Sequence, residues 1–221
     1  MNSRVFNAAM LDFRASKSSM RNIVIMYVIP IIIGLAAKIP EFTLALTMVL
    51  SVFAGGYVFS VHEKSNSEKL YGILPLKKSE MIMGRYLYAL IIGIISAALA
   101  IVFTLVISKI INYEYDTFTI LGVFALAFAY YFFAVGIAYP IYLKFGFSKS
   151  YIFTMLPMYL IFLAFMLITK KVPNFAGSLQ NFFGFFKDHL PLIPICGVVL
   201  GLVFLVISVA VANLIYTRKE I

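Results

Sequence analysis

The side chains able to do covalent chemistry are sparse: two histidines, His62 and His189, one cysteine, Cys196, and nine carboxylates along 221 residues. Hydrolysis needs a nucleophile with a base, or a metal set, at regular spacing. No GxSxG, HExxH or GxxxxGK[ST] pattern occurs. What does concentrate is polarity. Residues 62–85 read HEKSNSEKLYGILPLKKSEMIMGR and hold eight of the 27 acidic and basic residues: Glu63, Lys64, Glu68, Lys69, Lys77, Lys78, Glu80 and Arg85. The chemistry this stretch suits is recognition. Ser65 and Glu68 stand at capping-box spacing, the serine as N-cap and the glutamate reaching back to its amide. Leu70, Ile73 and Leu74 form an i, i+3, i+4 apolar stripe beside the charges. Pro75 pushes Leu74 out of the helical region, so this helix is predicted to stop near Ile73. Ser79 is placed to cap a second helix that runs into the next apolar segment. A short amphipathic helix, a proline kink and a basic step make a handle for docking.

Both flanks of that handle are apolar enough to cross a bilayer. The composition is 63% hydrophobic and 12% charged, with a mean hydropathy of +1.01, far from that of a water-soluble domain. Six segments carry no Asp, Glu, Lys or Arg: 22–37, 42–62, 86–108, 117–143, 150–169 and 189–217. A spanning helix needs roughly 20 apolar residues, and five of the six segments reach that length. The first contains Pro30 and is expected to complete its span by borrowing Lys38 and Ile39 through snorkelling. Barrel strands would alternate in polarity over about ten residues, and no segment does so. The predicted fold is therefore an all-α membrane protein, residues 1–221 forming a single transmembrane domain. It has six transmembrane helices, an N-terminal interfacial helix and a cytosolic helix between spans two and three.

The interfacial helix rests on Val5, Phe6, Ala9, Met10 and Phe13, which share one helical face among Arg4, Arg14, Lys17 and Arg21. No A-x-A site follows the first apolar run, so that run is expected to be retained rather than cleaved. With the N-terminus inside, thirteen of the 18 basic residues fall on the inner side, the bias that sets orientation. Both termini and the handle are then cytosolic, and His62 and His189 sit on opposite faces, unable to share a site. Gly93, Ala97 and Ala100 in the third span, and Gly197 and Gly201 in the sixth, offer small faces for close helix packing. Pro157 should kink the fifth span. The connection 170–189 holds Phe175, Phe182, Phe183, Phe185 and Phe186 and is expected to lie in or re-enter the interface.

Several function classes drop out. The net charge of +9 is spread around spans instead of forming one basic face, which argues against nucleic acid as a partner. Every carboxylate lies outside the core of a span, whereas ion-coupled carriers place them near the midplane. Cys196 is alone, so no intrachain disulfide forms. The chain supplies a membrane pathway and a cytosolic handle but no engine, which implies a partner that supplies one.

Phe59, Ser60, Val61, His62, Glu63 and Lys64, then Gly72, then residues 74–80 (LPLKKSE), then Gly84, Arg85 and Tyr86, resemble the signature of ABC-2 type permeases. These are the membrane subunits of ATP-binding-cassette exporters. In that family a Glu after the second span, a Gly, a Leu-Pro step, and a Gly-Lys or Gly-Arg entering the third span recur in order. Glu63, Gly72, Leu74 with Pro75, and Gly84 with Arg85 occupy those places. The six spans, the basic N-terminal helix and the hydrophobic segment before the last span also match, so the similarity covers the whole chain. The compact layout is similar to bacterial permeases of the phenol-soluble-modulin and bacteriocin-immunity exporter type.

The resemblance implies a single permease domain in a bacterial cell membrane. Residues 65–73 would be the coupling helix seated in a groove of a cytosolic ABC ATPase. Leu70, Ile73 and Leu74 would be its apolar anchors and Glu63, Glu68 and Lys69 its polar rim, with Gly72 and Pro75 in the same docking stretch. ATP and Mg would be held by that partner, and no cofactor by this chain, which is itself no enzyme. A second permease subunit, a copy or a paralogue, is also implied. Without charge in the span cores, a pathway between two such subunits suits an amphipathic peptide, lipopeptide or drug better than an ion. Phe175, Phe182, Phe183 and Phe186 are the substrate-path candidates. The other reading is a six-span substrate-capture subunit of a vitamin or metal importer, which would need a polar intramembrane pocket that the sequence does not offer.

Overall fold

The computed structural model describes residues 3–65, 77–113, 117–154, 156 and 192–217, and these are helical apart from short turns. Helix α1 (Ser3–Ser16) passes through a 3-10 turn, Lys17–Ser19, into α2 (Met20–Ala37). Then come α3 (Pro40–Lys64), α4 (Lys78–Ile110), α5 (Thr117–Phe145) and α6 (Leu192–Thr217), with residues 147–154 helical between the last two. Among the described residues five stretches are long and apolar enough to cross a membrane: Arg4–Ala37, Pro40–Lys64, Lys78–Ile110, Ile120–Phe145 and Cys196–Thr217. Most of the sixth expected span, 150–169 with Pro157, lies outside the described residues.

Helix ends differ from the charge-free runs for local reasons. α4 starts at Lys78, because the Glu80 carboxylate accepts a 3.0 Å hydrogen bond from the Lys77 amide and closes the first turn. The cap thus sits at Lys77, two residues before the expected Ser79. At 33 residues α4 is about 50 Å long at ~1.5 Å per residue, so it extends well past a ~30 Å hydrocarbon core. α2 does not borrow Lys38 and Ile39: Lys38 turns left-handed at φ 56 and ends the helix. Pro40 then opens α3 at its first turn, where a missing amide proton costs nothing.

The bundle buries small and hydroxyl side chains and turns large apolar ones outward. Thr43, Thr47 and Ser51 of α3 and Ser96, Thr104 and Ser108 of α4 are buried. Most of these hydroxyls donate to a carbonyl one turn back, as Thr47 does to Thr43 at 2.7 Å and Ser108 to Thr104 at 2.8 Å. Satisfied in that way they act as small residues, and antiparallel α3 and α4 pack closely along them. Ile94, Ile101, Val102 and Val106 of α4, and Val199, Leu200, Val203 and Val206 of α6, are exposed, as contact with hydrocarbon requires. The GxxxG glycines of α6 face α5: a Cβ on Gly201 would lie 3.1 Å from that of Phe132, and one on Gly197 3.5 Å from that of Ala129. That motif serves packing within the chain. At the end of the bundle holding the 111–113 turn, Tyr113 is kept above its ordinary pKa first by partial burial and then by the neighbouring Glu41 carboxylate.

Candidate functional site

Several of the polar contacts that join separate helices lie at the end of the bundle where α3 finishes at Lys64 and α4 begins at Lys78. α1 is seated there against α4. Ala8 and Ala9 are buried, and a Cβ on Gly84 would lie 2.5 Å from the Ala8 Cβ and 3.0 Å from the Ala9 amide nitrogen. Only glycine permits that approach. The same face of α1 carries Asp12 and Ser16. His62 Nε2 donates to Asp12 Oδ1 at 2.8 Å, with side-chain exposures of 5% and 3%. Tyr88 of α4 donates to Ser16 Oγ at 2.9 Å. A buried pair of this kind gives position more reliably than net stability, since desolvation offsets much of the attraction.

Arg85 is only 1% exposed and stacks its guanidinium 4.8 Å from the Phe59 ring centre, one turn before His62. Phe59 in turn meets Tyr139 edge-on at 4.8 Å, and Tyr86 meets the same ring at 5.1 Å. Tyr86 shares a 2.6 Å hydrogen bond with Ser208 of α6, and Tyr139 donates to the Gly55 carbonyl at 3.0 Å. This tyrosine cluster locks α3, α4, α5 and α6 together beneath the polar layer. Glu63, the next residue after His62, points the other way. Its carboxylate accepts from the Ser148 amide at 2.9 Å and caps the helical segment 147–154, beside Gly146 at φ +80. Arg4 and Glu80 approach to 3.9 Å, but Arg4 is 60% exposed and the contact is weak.

So two consecutive residues at the end of α3 are fastened to two different elements, His62 to α1 and Glu63 to the 146–148 turn. The chain then enters residues 66–76. A fixed frame on both sides of a polar stretch suits transmission of force, and among the described residues no group of acidic, histidine and cysteine side chains is placed to hold a metal.

Residues 10–217 match the family described as ABC-2 family transporter protein. The chain belongs to that family. No curated protein matches it. As an ABC-2 family member it is a multi-pass membrane protein and the permease of an ABC transporter, a transport subunit whose ATPase is a separate partner. The matched region takes in every contact of the site just described except those of Arg4, Ala8 and Ala9.

Of the residues picked out in the sequence, Glu63 lies at this site with its carboxylate on Ser148, and Gly84 and Arg85 form the seat of α1 and the stack on Phe59. Glu68, Lys69, Leu70, Gly72, Ile73, Leu74 and Pro75 lie outside the described residues, as do Phe175, Phe182, Phe183 and Phe186. Asp12, Ser16, His62 and Tyr88 were not singled out as a site. One signal for them was available: Ala8, Asp12 and Ser16 recur every four residues, which puts a carboxylate and a hydroxyl on one small-residue face of α1.

Proposed function

We propose that this ABC-2 permease works as an exporter, moving a hydrophobic or amphipathic molecule outward with ATP hydrolysed by a separate subunit. In this reading residues 65–73 form the coupling helix, Leu70, Ile73 and Leu74 fill an apolar groove of the ATPase, and Glu68 and Lys69 line its rim. The observation that carries the reading is the pair of ties at the end of α3. Movement imposed on residues 66–76 is passed by His62 to α1 through Asp12, and by Glu63 to the 147–154 segment through Ser148. Both termini are cytoplasmic, the molecule has six spans, and two permease subunits enclose the pathway. α1 lies along the inner leaflet, with exposed Phe6, Met10 and Phe13 turned to lipid. Membership of the ABC-2 family gives no support to a substrate-capture subunit.

The cargo class follows from the span cores, which present Phe, Tyr, Met, Ser and Thr and no mobile charge; a small ion would lose hydration without finding a partner. The test is ATPase stimulation of the reconstituted complex by a panel of amphipathic peptides, sugars and inorganic ions. Stimulation by the peptides is expected. Stimulation by sugars or ions with the peptides inert would refute the cargo assignment.

A further inference from the structure

A groove of about 310 Å³ opens between the Lys17–Ser19 turn with the start of α2 and the end of α3. Its lining mixes polar and apolar surface: Ser19, Asn22, Tyr57, Ser60 and Lys64 face it beside Val61. Among the described residues, the side chains of these five take part in no hydrogen bond or ion pair. Ser60 is the telling one. It is 8% exposed and lines the groove.

Among the described residues the charges around the opening are mainly basic. Lys64 lines it, and exposed Lys17 and Arg21 each stand next to a lining residue, Ser18 and Asn22. Among the described residues no carboxylate lines the groove. The two nearest along the chain are turned elsewhere, Asp12 to His62 and Glu63 to Ser148. One lining cation, with two more next to the lining along the chain, an amide and hydroxyls suit an anionic phosphate. Further along α2, Val24, Ile25 and Val28 are exposed, apolar side chains on a stretch long and apolar enough to span a membrane. A phosphate with acyl chains fits both halves, whereas a free phosphate uses only the first. Basic pockets between membrane helices are known lipid-headgroup sites by the same physics.

We propose that this groove is a binding site for an anionic phospholipid, with the headgroup phosphate held by Lys64, Ser19, Ser60 and Asn22, the charge of exposed Arg21 close by along the chain, and an acyl chain along α2. The bound lipid ties the Lys17–Ser19 turn to the last turn of α3, next to residues 66–76. Binding needs neither an ATPase nor a direction of transport, so it stands or falls separately from the exporter reading.

The experiment uses the full chain in phosphatidylcholine nanodiscs, with phosphatidylglycerol titrated in and retained lipid read by native mass spectrometry. Phosphatidylglycerol should be retained in preference to phosphatidylcholine. Each cation near the surface contributes about fivefold, so the double variant Arg21→Gln, Lys64→Gln should lose that preference about 25-fold. Ser60→Leu, which fills the groove without changing charge, should lose it as well. The double variant Lys38→Gln, Lys109→Gln removes the same charge at the other end of the bundle and should keep it. Circular dichroism confirms that each variant folds. Equal loss in the Lys38, Lys109 variant, or undiminished preference in Ser60→Leu, would overturn the site. Competition by millimolar glycerol phosphate as effective as that by the lipid would overturn the lipid as occupant.

Discussion

The buried Asp12–His62 contact predicts a measurable coupling between the N-terminal helix and the end of α3. Replacing Asp12 by Ala removes an acceptor 2.8 Å from a ring nitrogen that is itself almost wholly buried. Loss of a hydrogen bond to a charged or chargeable group, plus the stranded donor, amounts to about 3 kcal/mol. For a chain of 221 residues that corresponds to a fall in Tm of about 6–12 °C. His62→Leu keeps the bulk and removes the donor, and its penalty should be similar. Because both changes delete the same interaction, the double variant should be more stable than the sum of the singles by about 1.5–3 kcal/mol. The assay is thermal unfolding of the four proteins in one fixed nanodisc composition, with trypsin cleavage after Lys17 and Arg21 as the local readout. Both single variants should be cut faster, since α1 loses one of its ties. Additivity within about 0.5 kcal/mol, together with unchanged cleavage, would refute the idea that this pair holds α1 in place.

Three further outcomes follow from particular positions. Gly84→Ala puts a methyl 2.5 Å from the Ala8 Cβ, so α1 must lift; a loss of about 1–3 kcal/mol and faster cleavage after Lys17 are expected, checked by unfolding and proteolysis. Gly146→Ala forces a side chain into the left-handed region at φ +80, where its Cβ would make only ordinary contact with the Glu63 carboxylate at 3.6 Å, so a loss of about 1–2 kcal/mol in thermal unfolding should result from backbone strain. In a Cys196→Ala background, a cysteine at Ser178 should react with an impermeant thiol reagent on intact cells and one at Ser67 should not; the reverse pattern would invert the proposed orientation.

The membrane-spanning elements were legible because hydrocarbon imposes one strong demand, a long uncharged run, and five helices answer it. Their ends were less so. A charge-free run misses Lys78 to Arg85, which is continuous with α4 because Glu80 caps the helix from inside and Arg85 finds the Phe59 ring. The seat of α1 was hidden for a different reason. Hydropathy marks large apolar residues, and Phe6, Met10 and Phe13 are the exposed ones; the face that packs holds Ala8, Ala9, Asp12 and Ser16. The Asp12 and His62 pair is separated by 50 positions, and the Glu63 and Ser148 contact by 85, so no local spacing announces either. Glu63 shows the limit of motif reading most clearly. Its place in the ABC-2 pattern marked it as a functional position, but the partner that its carboxylate caps is a turn beyond α5.

The central claim is that this ABC-2 permease is driven by a separate ATPase docked on the stretch between α3 and α4. The most direct test is affinity purification of the full chain from its native membranes, as wild type and as Leu74→Asp, with ATPase activity of the eluate measured in each. A charge buried without a partner in an apolar groove costs on the order of several kcal/mol, enough to release a docked subunit. The wild type should bring down a soluble protein carrying a GxxxxGK[ST] loop together with ATPase activity, and Leu74→Asp should reach the membrane normally and bring down neither. Wild-type permease that elutes without any nucleotide-binding partner, or Leu74→Asp with its partner and activity intact, would contradict the account.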